Sequence, residues 1–205
     1  SPVVVKHPFT DSGFVMVNSG DGYRPADITK DSESLDQWRK NLSERIDNIT
    51  DARLIFTMLT KSYRFAFLKH AMPYMSRSDF SEYLADAWTS YEAPNSDPNF
   101  TKNDLVELFR KAAPDFLMTA YEYNAYLDLP DILTVFRGVP KDGNSQIEAL
   151  SWTLDKDKAA WFAHRFGEDG TVYQAEIMKS NTYALFLGRG ESEIIVNPKY
   201  LLDIT

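Results

Sequence analysis

The chain has 205 residues, enough for one well-buried domain or one core with a helical extension, and 43% hydrophobic with 14% aromatic residues to fill it. A formal charge of -8 weighs against broad contact with nucleic acid, since phosphate binding is driven by Lys and Arg; the lack of cysteine removes disulfides, thiolate metal sites and cysteine nucleophiles together. No apolar run approaches the roughly 18 residues of a membrane span, and the start lacks the basic, apolar and small-residue order of a secretory signal.

In chain order, the first thirty residues read as an irregular arm with room for one strand, a short apolar run at 3–5 beside Gly- and Asp-rich stretches such as 18–22. Over 32–46 the apolar positions Leu35, Trp38, Leu42 and Ile46 recur at helical spacing behind a Ser and Asp cluster suited to an N-cap. A second helix is predicted from Thr50 or Asp51 to just before Pro73, with Leu54, Ile55, Met58, Leu59, Phe65 and Leu68 on a broad apolar face. Two more follow at 78–91 and 101–112, separated by the Pro- and Asn-rich loop 93–99. Thr101 and Asp104 form a capping box with Asp in place of the preferred Glu. Pro114 in a first turn and the stretch 116–126 predict a fifth helix.

After Pro130 the texture changes. The stretches 132–136, 149–153, 171–177, 183–187, 194–196 and 200–204 are short strand candidates between Gly, Pro, Asn and Asp signals, interrupted by one helix at 155–166. The expected fold class is α+β, a helical region over 1–130 packed on a strand-rich region over 131–205, the helical part either separate or integral to one domain.

Several chemistries fail for want of residues. There is no Gly-rich phosphate loop ending in Gly-Lys-Ser or Gly-Lys-Thr, no dinucleotide fingerprint and no Gly-x-Ser-x-Gly elbow. His7, His70 and His164 are far apart and form no His-Glu-x-x-His frame, so no metal is expected. What remains is an ordered set in the last third: Arg137 at a strand end, Ser151 and Thr153 flanking Trp152 on a second strand, and Glu191 and Glu193 leading into a third. Taken singly, each has a plain alternative: a surface charge, hydroxyls on the outer face or an N-cap at Thr153, and a solvated acidic turn. On an extended chain alternate residues point the same way, so Glu191 and Glu193 are expected to project together, an arrangement that favours a cation between them.

Arg, then Ser-x-Thr, then a helix rich in Ala, Trp and Phe, then a strand, then Glu-x-Glu before aliphatics, resembles the arginine, serine, glutamate class of mono-ADP-ribosyltransferases. The resemblance spans 134–205. The pieces 135–138, 150–155, 160–163 and 189–194 are also similar to phage- and prophage-associated transferases. The middle motif departs from the family's Ser-Thr-Ser in having Trp152 at its centre; Ser151 carries over more directly than Thr153.

The resemblance implies an ADP-ribosyltransferase-like split β-sheet core and NAD as substrate, with nicotinamide released and ADP-ribose passed to a target protein, arginine being the favoured acceptor. Glu193 would bind the ribose 2′-hydroxyl and offset the developing positive charge, as carboxylates do in glycoside cleavage. Arg137 would grip the phosphate or ribose side, Ser151 would hold Glu193 or the ribose, and Glu191 would orient the acceptor. Arg165 could meet a phosphate, and Phe166 or Phe186 could pack on nicotinamide, whereas Trp161 and Phe162 read as core residues. Two rivals stay open: an NAD glycohydrolase using water at the same site, and a non-catalytic phage interaction or structural protein with a degenerate transferase fold. A cytoplasmic setting is expected, the host cytoplasm included if a phage or effector route delivers the protein.

Overall fold

A computed structural model describes residues 5–141, 147–165, 167 and 169–205. Helices and strands are mixed, the strands forming two antiparallel sheets, and the chain divides into two compact units, Ser1–Phe67 and Leu68–Thr205. No helix among the described residues is long and apolar enough to cross a membrane.

The first unit holds more strand than its sequence suggests. β1 (Phe14–Asn18) and β2 (Tyr23–Asp27) form a hairpin whose turn uses Gly20 and Gly22 at positive φ. Val17 is fully buried and β1 packs on α1 (Ser32–Asp47), which is N-capped by Asp31 through the amides of Glu33 and Ser34. In the apolar run at 3–5, Val3 and Val4 lie outside the described residues and Val5 belongs to no strand. The long second helix is interrupted: α2 (Ala52–Met58) stops at Leu59, which is extended, a 3-10 turn follows at Lys61–Tyr63, and α3 (Arg64–Ala71) resumes. The Thr60 amide donates to the Pro8 carbonyl at 2.8 Å, a partner outside the helix.

In the second unit, α4 (Arg77–Ser90) and α5 (Lys102–Lys111) appear as the sequence predicts, the latter with the Thr101/Asp104 capping box formed. The expected fifth helix is two: α6 (Pro114–Leu117) ends at an extended Met118, and a second capping box, Thr119 with Glu122, starts α7 (Ala120–Leu127). Then come β3 (Ile132–Val139), β4 (Ser151–Thr153), α8 (Lys156–His164), β5 (Thr171–Met178), β6 (Thr182–Phe186) and β7 (Glu193–Val196). The stretch 200–204 forms only a bridge, Leu202 with Glu176 on β5.

The five strands run in the order β5-β3-β4-β7-β6. All four residues of β7 are buried, as expected of a strand covered on both faces. Helices α5, α6 and α7 pack at β6, whereas α8 packs on β3, with lesser contacts to β5 and β4. That second contact is unusually close. A Cβ on Gly138 would sit 1.9 Å from the Ala159 carbonyl oxygen, and one on Gly170 would sit 2.1 Å from that of Ala163, so glycine on the strand side and alanine on the helix side let the backbones approach. Between β3 and β4 the described residues share one paired position, Phe136 with Thr153, and the Arg137 side chain donates to the Ser151 carbonyl beside it. A guanidinium thus takes up a ladder acceptor where the two strands part.

Candidate active site

Three adjacent strands, β3, β4 and β7, carry Arg137, Ser151 and Glu193 into one cleft of about 1150 Å³. That volume is somewhat above the roughly 300–1,000 Å³ of ordinary ligand sites. Thr153 pairs directly with Glu193 across β4 and β7, which sets Ser151, two residues back, on the same face and diagonal to the carboxylate. The Ser151 hydroxyl donates to Glu193 Oε1 at 2.5 Å. The Trp88 indole N–H, from the last turns of α4, donates to the same oxygen at 3.0 Å. Glu193 is 8% exposed and Trp88 1%, so a charged acceptor with few alternatives in water is held by two donors converging from strand and helix.

Arg137 is also substantially shielded. Burial pulls its guanidinium down to about 10, against the opposing pull of the Glu193 charge, and it remains fully protonated at neutral pH. The cleft therefore sets an obligate cation near a fixed carboxylate.

Glu191 lines the same cleft, but the route between the two glutamates is not extended. Glu191 is in the right-handed helical region (φ -98, ψ -17) and Ser192 is left-handed at φ 44, a conformation that a non-glycine residue adopts at some cost. The loop is tied down by Thr153, whose hydroxyl donates to the Glu191 carbonyl at 2.6 Å and accepts from the Asp155 amide at 3.0 Å. Thr153 is thus a brace between the glutamate loop and the start of α8, where Asp155 is the N-cap.

Arg165, just past α8, lines the cleft with its guanidinium 5.5 Å from the centre of the Phe162 ring. Phe186 does not line it: the residue pairs with Glu193 across β6 and β7 but is 5% exposed, on the strand where α5, α6 and α7 pack. Phe166 lies outside the described residues. The aromatic lining comes instead from Trp88, Tyr91, Phe100, Phe136, Trp161 and Phe162. Trp161, read as core from its spacing, is 58% exposed.

The second wall of the cleft went unseen in the sequence. It is the segment from Trp88 to Phe100, pinned to β4 by the Asn95 side-chain oxygen, which accepts from the Leu150 amide at 2.9 Å. The sequence carries no signal for Trp88, whose burial, and with it the need of its indole N–H for an acceptor, shows only in the fold. Among the described residues no group of three or more His, Asp or Glu is placed to hold a metal ion. Comparison with protein-family models, curated proteins and solved structures gave no significant match.

Proposed function

We propose that this protein is an NAD-dependent mono-ADP-ribosyltransferase on a split-sheet transferase core, with a protein arginine as the favoured acceptor. The observation that carries the reading is the convergence of Arg137, Ser151 and Glu193 from three neighbouring strands on one cleft, with Ser151 bonded to the Glu193 carboxylate.

In this reading Glu193 accepts a hydrogen bond from the ribose 2′-hydroxyl and stabilises the positive charge that grows on the sugar as the bond to nicotinamide breaks. Ser151 keeps that carboxylate in register. Arg137 faces the phosphates with a planar donor set that stays charged at neutral pH. Glu191 orients the acceptor guanidinium and takes its proton as the new bond to the ribose carbon forms, which the braced loop of Thr153 makes geometrically reproducible.

The test is incubation with NAD labelled in its adenylate part, in the presence of a protein mixture. Nicotinamide release with labelled protein bands supports transfer, release without bands supports hydrolysis, and no release removes the reading. Glu193→Gln should abolish release while the thermal unfolding midpoint stays within a few degrees of wild type.

A further inference from the structure

Along α8 and its C-cap, Lys158, Trp161, Phe162 and Arg165 recur at i, i+3, i+4 and i+7 and share one face. A different face, that of Ala159 and Ala163, makes the close contact with β3 and β5, and both alanines are fully buried. The aromatic stripe is therefore not what holds the helix to the sheet. Trp161, Phe162 and Arg165 line the cleft instead. The Trp161 ring is braced edge-on by Phe162, with centroids 5.0 Å apart at 77°, and Lys158 Nζ lies 5.6 Å from its centre.

The strand order gives this stripe a place relative to the catalytic groups. Glu193 on β7, Ser151 on β4 and Arg137 on β3 stand on successive strands spaced about 4.8 Å apart. Helix α8 packs chiefly on β3 and then on β5, further along the same direction. The helix that bears the exposed indole thus packs chiefly on the guanidinium's strand and the one beyond it, away from the carboxylate's strand. In NAD the adenosine likewise lies beyond the diphosphate, away from the nicotinamide ribose.

We propose that Trp161 is the platform on which the adenine base of the dinucleotide stacks, fixing the substrate with its reactive end at Glu193. The proposal rests on the transferase reading for the identity of the ligand. An aromatic face suits a purine because every base offers a π-face, and loss of such a contact costs binding without touching the reacting bond.

The experiment compares NAD with nicotinamide mononucleotide, which keeps the scissile bond and lacks the adenylate. Trp161→Ala should raise KM for NAD about tenfold with kcat within about twofold, the signature of lost uniform binding, and should leave kcat/KM for the mononucleotide unchanged. An unchanged KM for NAD overturns the proposal, as does an equal loss with both substrates. A second measurement needs no turnover: AMP should quench the tryptophan fluorescence of the wild type and not that of Trp161→Phe. Equal quenching in the two, or none in the wild type, also overturns it. If the wild type releases no nicotinamide, the transferase reading fails by itself, and AMP quenching at Trp161 then decides the base platform alone.

Discussion

The two donors on Glu193 Oε1 make a prediction that can be worked from geometry. Ser151→Ala removes one hydrogen bond and Trp88→Phe removes the other, leaving most of the ring that packs edge-on against Phe109 at 4.9 Å. A hydrogen bond to a charged group contributes about 1.5–3 kcal/mol, so each variant should lose that much unfolding free energy, with kcat/KM for nicotinamide release falling about 10- to 100-fold. Each single variant keeps one of the two donors. The double variant strips both from a carboxylate that is only 8% exposed, and the desolvation that a single bond still offset is then felt more strongly. Its destabilisation should therefore exceed the sum of the singles by about 1 kcal/mol or more, measured as urea midpoints at constant m. A cycle that closes within about 0.5 kcal/mol would mean that the two donors act independently, and the shared-acceptor account would be wrong.

Gly138→Ala places a Cβ 1.9 Å from the Ala159 carbonyl oxygen; it should cost about 2–3 kcal/mol in urea unfolding, and an unchanged midpoint would contradict the close seating of α8. Arg137→Lys introduces an amine that ordinarily titrates near 10.4; the same burial that pulls the arginine down to about 10 should hold the lysine below its ordinary value. Because the charged form is the one needed, nicotinamide release by this variant should fall on the alkaline side at a lower pH than in the wild type, and parallel profiles would refute the burial argument. Thr153→Val keeps the shape and removes the hydroxyl that braces the glutamate loop, so kcat should drop about tenfold with KM for NAD unchanged. Full activity in this variant would show that the loop is placed by something else.

What the sequence disclosed follows from how local each signal is. The helices at 32–47, 77–90 and 102–111 carry their own caps and apolar spacing, and the strand triplet carries its own residue types. The break at Leu59 and Thr60 was illegible because the Thr60 amide is satisfied by Pro8, some fifty residues away, while the apolar spacing runs on through the gap. The break at Met118 had a local sign in the Thr-x-x-Glu that opens α7, outweighed by a continuous apolar pattern. Periodicity also shows that a helix has stripes without saying which stripe meets the sheet. On α8 the alanine stripe makes that contact, and this frees Trp161 for the cleft. For Phe186, strand alternation picks the correct face of the sheet but knows nothing of the helices that cover it.

The wall from Trp88 to Phe100 has no motif for a related reason. What it contributes is one indole N–H to Glu193 and one amide oxygen to the Leu150 backbone, groups so common that only three-dimensional placement gives them meaning. Both bonds run from the helical segment to the strands that carry the ordered triplet, and Trp88 lies 105 residues from its partner in sequence. A resemblance confined to 134–205 therefore captures residues of the proposed chemistry and misses part of what orients them. Where a buried carboxylate takes its donors from two separate stretches of chain, neither stretch alone specifies its geometry. The unit that matters for the site is Leu68–Thr205 taken whole, and substitutions in α4 that leave every motif residue intact should still be read out at Glu193.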